Sequence, residues 1–357
     1  MTAKLLAKGL RTIQEGACAP WRDSNVRDVT IMSRTRALLG GLAATACLLT
    51  AAHAEETDPA AIVAGQFAAG GNHKGVRASG AKGVCLKGSF APSAGAAALS
   101  KAPHFAREVP VTARFSMGGS NPKVSDKTKP VTRGLSVRMS ADAGDMVFVT
   151  ISAPVFSTKT PAQLLEFVQV RAPGPDGKPD AEKVKAFAAA NPETTRQAAW
   201  LNARPVPASY AGVDYWAVHA YTLTNAKGEA KTARLKFVSA DKAGLTDEEA
   251  KAKPDSFYAD ELKERLAKGP AKFDLVAILA EAGDTLTDPT VAWPEEQRKA
   301  ETLGTLSITG IEPDATCDAR TFDPVVDLPE GIAGPSDDPM FAIRSPAYAV
   351  SVSRRAN

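Results

Sequence analysis

Apolar and polar side chains alternate along one stretch of the chain, Val109-Pro110-Val111-Thr112-Ala113-Arg114-Phe115-Ser116. Successive side chains of a β-strand point to opposite faces of a sheet, so this alternation is typical of a strand with one buried face. The stretch therefore predicts a half-buried strand, and segments on both sides of it repeat the pattern.

Seven further strands are predicted, with glycine and proline marking the turns between them. Residues 225–228, Asn-Ala-Lys-Gly, predict a hairpin between two of the strands. The first strand begins at about Gly83, and the others span Gly134–Met139, Asp145–Ser152, Tyr215–Leu223, Lys231–Val238, Phe273–Ala280 and Gly304–Thr309.

Apolar residues at helical spacing predict helices between the strands. Four strands, then helices, then four strands suit an α+β fold, a closed antiparallel β-barrel of about eight strands with helical insertions. The predicted helices span Ala94–Lys101, Pro161–Val170, Ala181–Ala190, Glu193–Asn202 and Thr246–Leu266.

Residues 32–54 have the pattern of a secretory signal peptide. A basic start at Met32–Arg36 precedes an apolar run, Ala37–Ala51, and Ala52-His53-Ala54 fits an A-x-A cleavage site. Residues 1–31 are then interpreted as a start-site error or a leader, the alternative being a genuine N-terminal anchor helix. The sequence predicts one functional domain at 55–357, in a periplasmic or secreted protein.

The composition is ordinary for a globular protein, with 44% hydrophobic and 23% charged residues. A net charge of +3 without a basic, aromatic-interleaved cluster argues against nucleic acid as a partner. No second stretch is long enough to span a membrane. Cys85 and Cys317 are the cysteines after residue 54, and they predict either one disulfide or two buried free thiols.

Arg344-Ser345-Pro346-Ala347-Tyr348 is the candidate site motif. Arg344 and Tyr348 are four residues apart and would share one face of a helix, with Pro346 in its first turn. A phenol ionises only near a pKa of about 10, but a ferric ion can remove its proton and a nearby guanidinium favours the phenolate.

This motif resembles the segment with which haem catalases present their proximal tyrosine. Other blocks resemble that superfamily in the same order, and the chain is most similar to its short, exported catalase-related peroxidases, because it ends too soon to hold the C-terminal helical domain of full catalases. These blocks are residues 77–83 (RASGAKG), 110–116 (PVTARFS), 132–137 (TRGLSV), 218–229 (VHAYTLTNAKGE), 322–324 (FDP), 331–332 (GI) and 336–338 (SDD).

The resemblance implies a buried b-type haem whose iron is bound by Tyr348, with Arg344 as electrostatic partner. Arg77 and Arg114 stand where the family has its propionate-binding arginines, although strand arginines facing solvent are the alternative. The implied function is a haem-dependent peroxidase that reduces hydroperoxides with a small external electron donor, as a monomer or small homo-oligomer.

The chain departs from the family where the peroxide is handled. Gly80 stands at the position of the distal histidine, which moves the proton during O–O cleavage. Residues 149–154 hold no asparagine, with Ile151 or Ser152 at the position of the distal asparagine, whereas Ser116, which supports the histidine in the family, is kept. The expectation is weak or absent catalase activity and a preference for organic peroxides.

The predicted domain contains three histidines that could substitute for the distal histidine. His73 could approach the cavity if its segment curls, although a solvated loop histidine is the simpler reading; His219 is expected to form hydrogen bonds in the core or at the surface, and His104 has no supporting context. Two other functions stay open: a haem carrier or sensor without peroxide chemistry, and a barrel that binds another apolar ligand.

Overall fold

Eight antiparallel strands pair in a ring at the centre of the protein, in a computed structural model that describes residues 56–335 and 337–356. The ring closes because β5 (Tyr215–Thr224) pairs with both β4 (Gly144–Ile151) and β6 (Ala230–Ser239), and β8 (Ala300–Glu312) pairs with β1 (Gly83–Pro92). The strands are β1 (Gly83–Pro92), β2 (Val109–Met117), β3 (Arg133–Ala141), β4 (Gly144–Ile151), β5 (Tyr215–Thr224), β6 (Ala230–Ser239), β7 (Ala271–Leu279) and β8 (Ala300–Glu312). The predicted barrel is confirmed.

The alternation in β2 places its residues on the two faces of the barrel wall. Ala113, Phe115 and Met117 are fully buried in the main hydrophobic core, where a phenylalanine side chain contributes roughly 1.5–3 kcal/mol through burial. Arg114 and Ser116 lie on the other face and line a cavity. The functional site is therefore outside the barrel, against its wall.

The wall is weakest between β4 and β5. A single residue pair, Ile151 with Trp216, joins these strands, and the register of β5 against β6 shifts between Ala217 and Ala220. An extra residue in a strand bends it and re-aims neighbouring side chains. Here the irregularity brings His219 to the cavity immediately after Val218.

Helices pack against the barrel's outer surface, and α1 (Pro59–Gly70) contacts both α3 (Pro161–Gln169) and α10 (Arg344–Ala356). Val63 and Phe67 of α1 cluster with Ala347 and Val350 of α10 and so cover one side of the cavity. The helices are α1 (Pro59–Gly70), α2 (Ala96–Leu99), α3 (Pro161–Gln169), α4 (Ala181–Ala190), α5 (Arg196–Asn202), α6 (Asp247–Ala252), α7 (Tyr258–Lys268), α8 (Asp314–Asp318), α9 (Pro339–Ala342) and α10 (Arg344–Ala356).

The prediction of one helix over 246–266 is wrong. Two helices, α6 and α7, occupy this region, and Lys253 between them is extended, at φ −71° and ψ 147°. Pro254 follows it, and a proline disfavours helical geometry in the residue before it. The predicted helix over 94–101 shortens to α2, and α1, α8 and α9 were not predicted.

A disulfide joins Cys85 of β1 to Cys317 of α8, with the two Cα atoms 5.7 Å apart. Of the two possibilities that the sequence left open, the disulfide is therefore the observed one. The proposed signal peptide and residues 1–31 lie outside the described residues. Within the described part of the chain, no helix is both long and apolar enough to cross a membrane.

Candidate functional site

A cavity lies between the outer face of β2–β5 and helices α1, α3 and α10. Its empty space is about 1400 Å³ when the open mouth is included. Of the residues singled out from the sequence, the cavity is lined by Arg77, Gly80, Arg114, Ser116, Ile151, His219, Arg344 and Tyr348. Residues far apart in the chain thus line one cavity between the barrel wall and the helices.

Arg344 and Tyr348 face the cavity from the first turns of α10. The guanidinium donates two hydrogen bonds to the phenol oxygen, from Nη2 at 2.7 Å and Nε at 3.2 Å. Burial alone would lower the pKa of Arg344, but the phenol groups of Tyr348 and Tyr221 beside it raise that pKa above its ordinary value. The cation is therefore permanent, and it favours negative charge on the oxygen.

His219 and Asp338 form a buried pair beside this motif. The imidazole Nδ1–H donates to Asp338 Oδ2 at 2.6 Å, while Oδ1 of the same carboxylate caps α9 by accepting from the backbone N–H of Met340 at 2.8 Å. Burial lowers the pKa of His219, which is therefore neutral at physiological pH. His219 was expected to form a hydrogen bond in the core or at the surface; it does so in the core and also lines the cavity.

Besides Arg344, three arginines line the cavity: Arg77, Arg114 and the unpredicted Arg355. Asp318 of α8 accepts from Arg77 Nη2 at 2.6 Å and from Arg355 Nη1 at 2.8 Å. Arg355 Nε is buried without a hydrogen-bond partner. Asp318 thus contacts two of the three guanidiniums, and an anion in the cavity would find donors still free.

Arg114 is the least compensated of the three cations. Its Nη1 and Nη2 donate to the carbonyl oxygens of Gly80 and Ala81, at 2.7 and 3.3 Å, rather than to a carboxylate. Burial and the charge of Arg77 lower the pKa of Arg114 to about 10, so the guanidinium stays charged at neutral pH. A side chain at Gly83 would start only 2.6 Å from the guanidinium, so glycine leaves the space that Arg114 occupies.

Gly80 has the left-handed backbone conformation, with φ +71°. A Cβ at this position would lie 3.1 Å from Ser116 Oγ, so Gly80 and Ser116 face each other across a small gap. The glycine leaves the barrel side of the cavity here without an acid or base. Ser116 lines the cavity.

Ser152 does not line the cavity, and its predicted place there is wrong. Its hydroxyl accepts a hydrogen bond from the backbone N–H of Arg133 at 2.9 Å. Ile151 lines the cavity instead, as does Val149, because alternate residues of β4 share a face. The apolar Ile151 therefore occupies the position of the distal asparagine, for which the sequence left Ile151 and Ser152 as candidates.

His73 and His104 do not contact the cavity. His73 lies beside Gly71, just beyond the end of α1. His104 is fully buried, and its Nε2 lies 3.1 Å from the carbonyl oxygen of Gly144. Neither histidine replaces the base that is absent at Gly80.

Two cavity residues, Arg355 and Trp216, were missed in the sequence. Arg355 follows Tyr348 by seven residues and Arg344 by eleven, and both spacings return to the same helix face. Extending the predicted helix beyond Tyr348 would therefore have identified Arg355 as a cavity residue. Trp216 is paired with Ile151 across β4 and β5, a register that no sequence pattern indicates.

The sequence profile described as Catalase matches residues 75–356. The chain belongs to the catalase family. It is 36% identical over 291 residues to the catalase-related peroxidase of Synechococcus elongatus, covering 80% of this chain and 85% of that protein. The catalase-related peroxidase of Mycolicibacterium paratuberculosis is 33% identical over 292 residues, covering 80% and 91% of the two chains.

Solved catalase structures share this fold. A fungal catalase superposes with a TM-score of 0.71 at 19% identity, covering 79% of this chain and 60% of that one. Catalase A from Saccharomyces cerevisiae gives the same TM-score and identity, covering 62% of its chain.

The residues of the cavity fit the haem that the catalase family implies. Tyr348 presents a phenol oxygen that accepts two hydrogen bonds from Arg344. Arg355 carries an unpartnered buried donor, and Arg114 is a cation without a carboxylate contact, which suits the two carboxylates of a haem. Val149, Ile151 and Phe156 supply apolar surface for a ring.

Proposed function

We propose that the protein is a haem-dependent peroxidase that reduces hydroperoxides with an external electron donor. The observation that carries the proposal is the phenol oxygen of Tyr348, held by two N–H groups of Arg344 and facing the cavity. The names of the catalase-related peroxidases at 36% and 33% identity support it. The cofactor proposed is haem b.

Each group of the cavity has a distinct task in this proposal. Bound haem would supply redox chemistry at iron, and Tyr348 would hold the iron from the α10 side. Arg344 would stabilise the phenolate that binds the iron, and the neutral His219 with Asp338 supports this end of α9 and α10. Arg77, Arg114 and Arg355 would bind the haem carboxylates.

The residues around Gly80 determine how fast a peroxide reacts and which peroxides are preferred. A positioned acid–base group typically contributes about 10²–10⁴-fold to proton-transfer steps. With Gly80 beside Ser116, and Ile151 on the same barrel wall, the groups available here are a hydroxyl and apolar surface. Slow reaction with hydrogen peroxide and better use of larger organic hydroperoxides, which can contact the apolar surface at Ile151, are therefore proposed.

Gly80 also favours a second candidate function, a haem carrier or sensor without peroxide chemistry. Tyr348 and the three arginines would bind haem equally well in that case. The two functions differ only in whether added hydroperoxide is consumed, so haem affinity does not separate them.

Export to the periplasm or beyond the cell is proposed as well. The disulfide between the buried Cys85 and Cys317 supports it, because disulfides persist in oxidising compartments. The signal-like pattern of residues 32–54 supports it from the sequence. Sequencing the N-terminus of protein purified from its natural host tests this, and a start before Met32 would contradict it.

Titration with haem followed by hydroperoxide and a phenolic donor tests the function. The peroxidase predicts a saturable Soret band and donor oxidation that depends on both haem and hydroperoxide. A Soret band without donor oxidation, for both hydrogen peroxide and cumene hydroperoxide, supports the carrier or sensor. No saturable haem binding would contradict both.

A further inference from the structure

A pair of tryptophans connects the cavity with the protein surface. Trp216 of β5 lines the cavity, and its ring meets that of Trp200 of α5 edge to face, with centroids 5.8 Å apart. Trp200 is only part-buried, and the exposed Arg204 places its guanidinium carbon 3.0 Å from the Trp200 ring centroid. Aromatic side chains thus run without interruption from the cavity to an exposed cation.

A peroxidase needs such a route whenever its reductant is too large for the cavity. Reducing a hydroperoxide, ROOH, to ROH and water consumes two electrons and two protons, and an aromatic reductant supplies the electrons one at a time. We propose that Trp216 and Trp200 conduct these electrons inward from an anionic aromatic reductant that is too large for the cavity and binds at Arg204 and Lys129. This inference rests on the peroxidase function proposed above.

The surroundings of Trp216 can accept the proton that an oxidised indole releases. Its Nε1–H donates to Glu295 Oε1 at 2.6 Å, so the proton can move to that carboxylate and return when the ring is reduced again. Lys236 lies 4.5 Å from the ring centroid, but its ammonium is paired with Glu295 at 3.1 Å and Asp214 at 3.2 Å. The lysine charge near the ring is therefore compensated.

The surroundings of Trp200 favour an anionic reductant. In the described part of the chain, neither Arg204 nor Lys129 forms an ion pair, and both are exposed. Lys129 is held beside Arg204 by donating to the carbonyl oxygens of Asn202 and Arg204. Two unpaired cations next to an aromatic ring attract an aromatic anion.

The same cation explains why electrons would flow when a reductant is bound. A guanidinium over Trp200 opposes positive charge on that ring. An anionic reductant at Arg204 offsets this charge, which makes transfer of a positive charge from Trp216 to Trp200 easier. The contact between the reductant and Arg204 thus both selects an anionic reductant and makes its oxidation easier.

Trp200→Phe tests the route, because phenylalanine keeps apolar packing against Trp216 but is much harder to oxidise. The haem-loaded protein is given cumene hydroperoxide and either the disulfonated aromatic dye ABTS or the small neutral donor hydroquinone. We expect kcat/KM for ABTS to fall about tenfold or more, with the value for hydroquinone unchanged within about twofold. Trp293→Phe is the matched control, because Trp293 is a buried tryptophan away from the cavity.

Two further readouts separate conduction from packing. Freeze-quenched spin resonance of haem-loaded wild type mixed with hydroperoxide in the absence of a donor should show a tryptophan radical, and Trp216→Phe should remove it. Calorimetric titration of the purified protein with ABTS should show binding that weakens about fivefold or more in Arg204→Gln and at higher salt.

Unchanged ABTS kinetics in Trp200→Phe, with an active wild type, would overturn the route while leaving the peroxidase function intact. Wild type that oxidises neither donor would overturn the peroxidase function and the route together. Equal ABTS affinity in Arg204→Gln and wild type would overturn the surface as the donor site.

Discussion

The guanidinium of Arg344 donates two hydrogen bonds to the phenol oxygen of Tyr348, one turn further along α10. Both side chains face the cavity, so a metal that binds this oxygen would meet a ligand whose charge is already supported. The i, i+4 spacing makes the contact a local property of the helix. The rest of the fold is needed to place the cavity in front of it.

Replacing Arg344 should make oxygen ligation sensitive to acid. Without the cation, the phenol is more easily protonated and leaves the iron, so the acid-induced spectral transition of the haem-loaded protein should shift to higher pH by about one unit or more in Arg344→Ala. Arg344→Lys keeps the positive charge but loses the second hydrogen bond to the phenol oxygen. Its transition pH should therefore lie between those of the wild type and Arg344→Ala. Identical transitions in all three would contradict the role of Arg344.

Gly80→His should restore part of the absent proton transfer. The new imidazole would lie beside Ser116, and the rate of reaction with hydrogen peroxide should rise about tenfold or more. Because Gly80 has φ +71°, the variant should also lose roughly 1–2 kcal/mol of unfolding free energy. Stopped-flow spectroscopy and urea unfolding measure the two effects.

Gly80→Ala is the matched control for that experiment, because it carries the backbone strain without the imidazole. It should lose similar stability and gain no rate. Ser116→Ala in the Gly80→His background should reverse part of the gain. Equal rates for the histidine and alanine variants would show that Gly80 does not face the reacting peroxide.

Removing the disulfide should weaken both the fold and the arginine cluster. The bridge closes a loop of 232 residues in sequence separation, which corresponds to roughly 3–5 kcal/mol in the chain-entropy model. Arg77 also donates to the carbonyl of Cys317 at 3.1 Å, next to Asp318. Cys85→Ala with Cys317→Ala should therefore unfold at lower urea and release haem faster to a haem-scavenging protein.

Two results would contradict that account of the bridge. Peptide mapping of the non-reduced protein should yield one linked pair containing Cys85 and Cys317, and two free thiols would contradict the pairing. A double variant that unfolds earlier but releases haem at the wild-type rate would limit the bridge to stability.

His219 predicts a loss of stability in weak acid. Burial lowers its pKa in the folded protein, whereas the unfolded chain binds the proton at pH of about 6.5. Below that pH the unfolded state binds more protons, so the free energy of unfolding falls as pH falls toward the folded pKa; above it this effect vanishes. His219→Gln should flatten the urea-unfolding profile between pH of about 7 and 5. An equally steep profile would contradict this.

Much of the barrel could be predicted because its strands carry local alternation. Phe115 points to the core and Arg114 away from it as period-two patterning requires. Pro254 also indicates a helix break, but the helical spacing of the residues around it predicted one continuous helix. Most elements could thus be predicted from local sequence patterns.

The site was predictable only where its residues are close in sequence or resemble the family's motifs. Arg344 and Tyr348 are one helical turn apart, and the neighbourhoods of Arg77 and Arg114 match known blocks. Asp318 contacts Arg77 across 241 residues, and no local pattern indicates such a contact. The outward direction of Ile151 rather than Ser152 depends on the register of β4, which the sequence leaves open.

The central claim is that Tyr348 is the oxygen ligand of a bound haem, and the optical spectrum of haem-titrated protein tests it directly. Tyr348→Phe should lose the spectrum of oxygen-ligated ferric haem and its response to hydroperoxide, because phenylalanine offers no donor atom. Tyr221→Phe is the control, since the buried Tyr221 hydroxyl has no hydrogen-bond partner and the residue does not line the cavity. A Tyr348→Phe protein with the wild-type spectrum and haem affinity would contradict the claim.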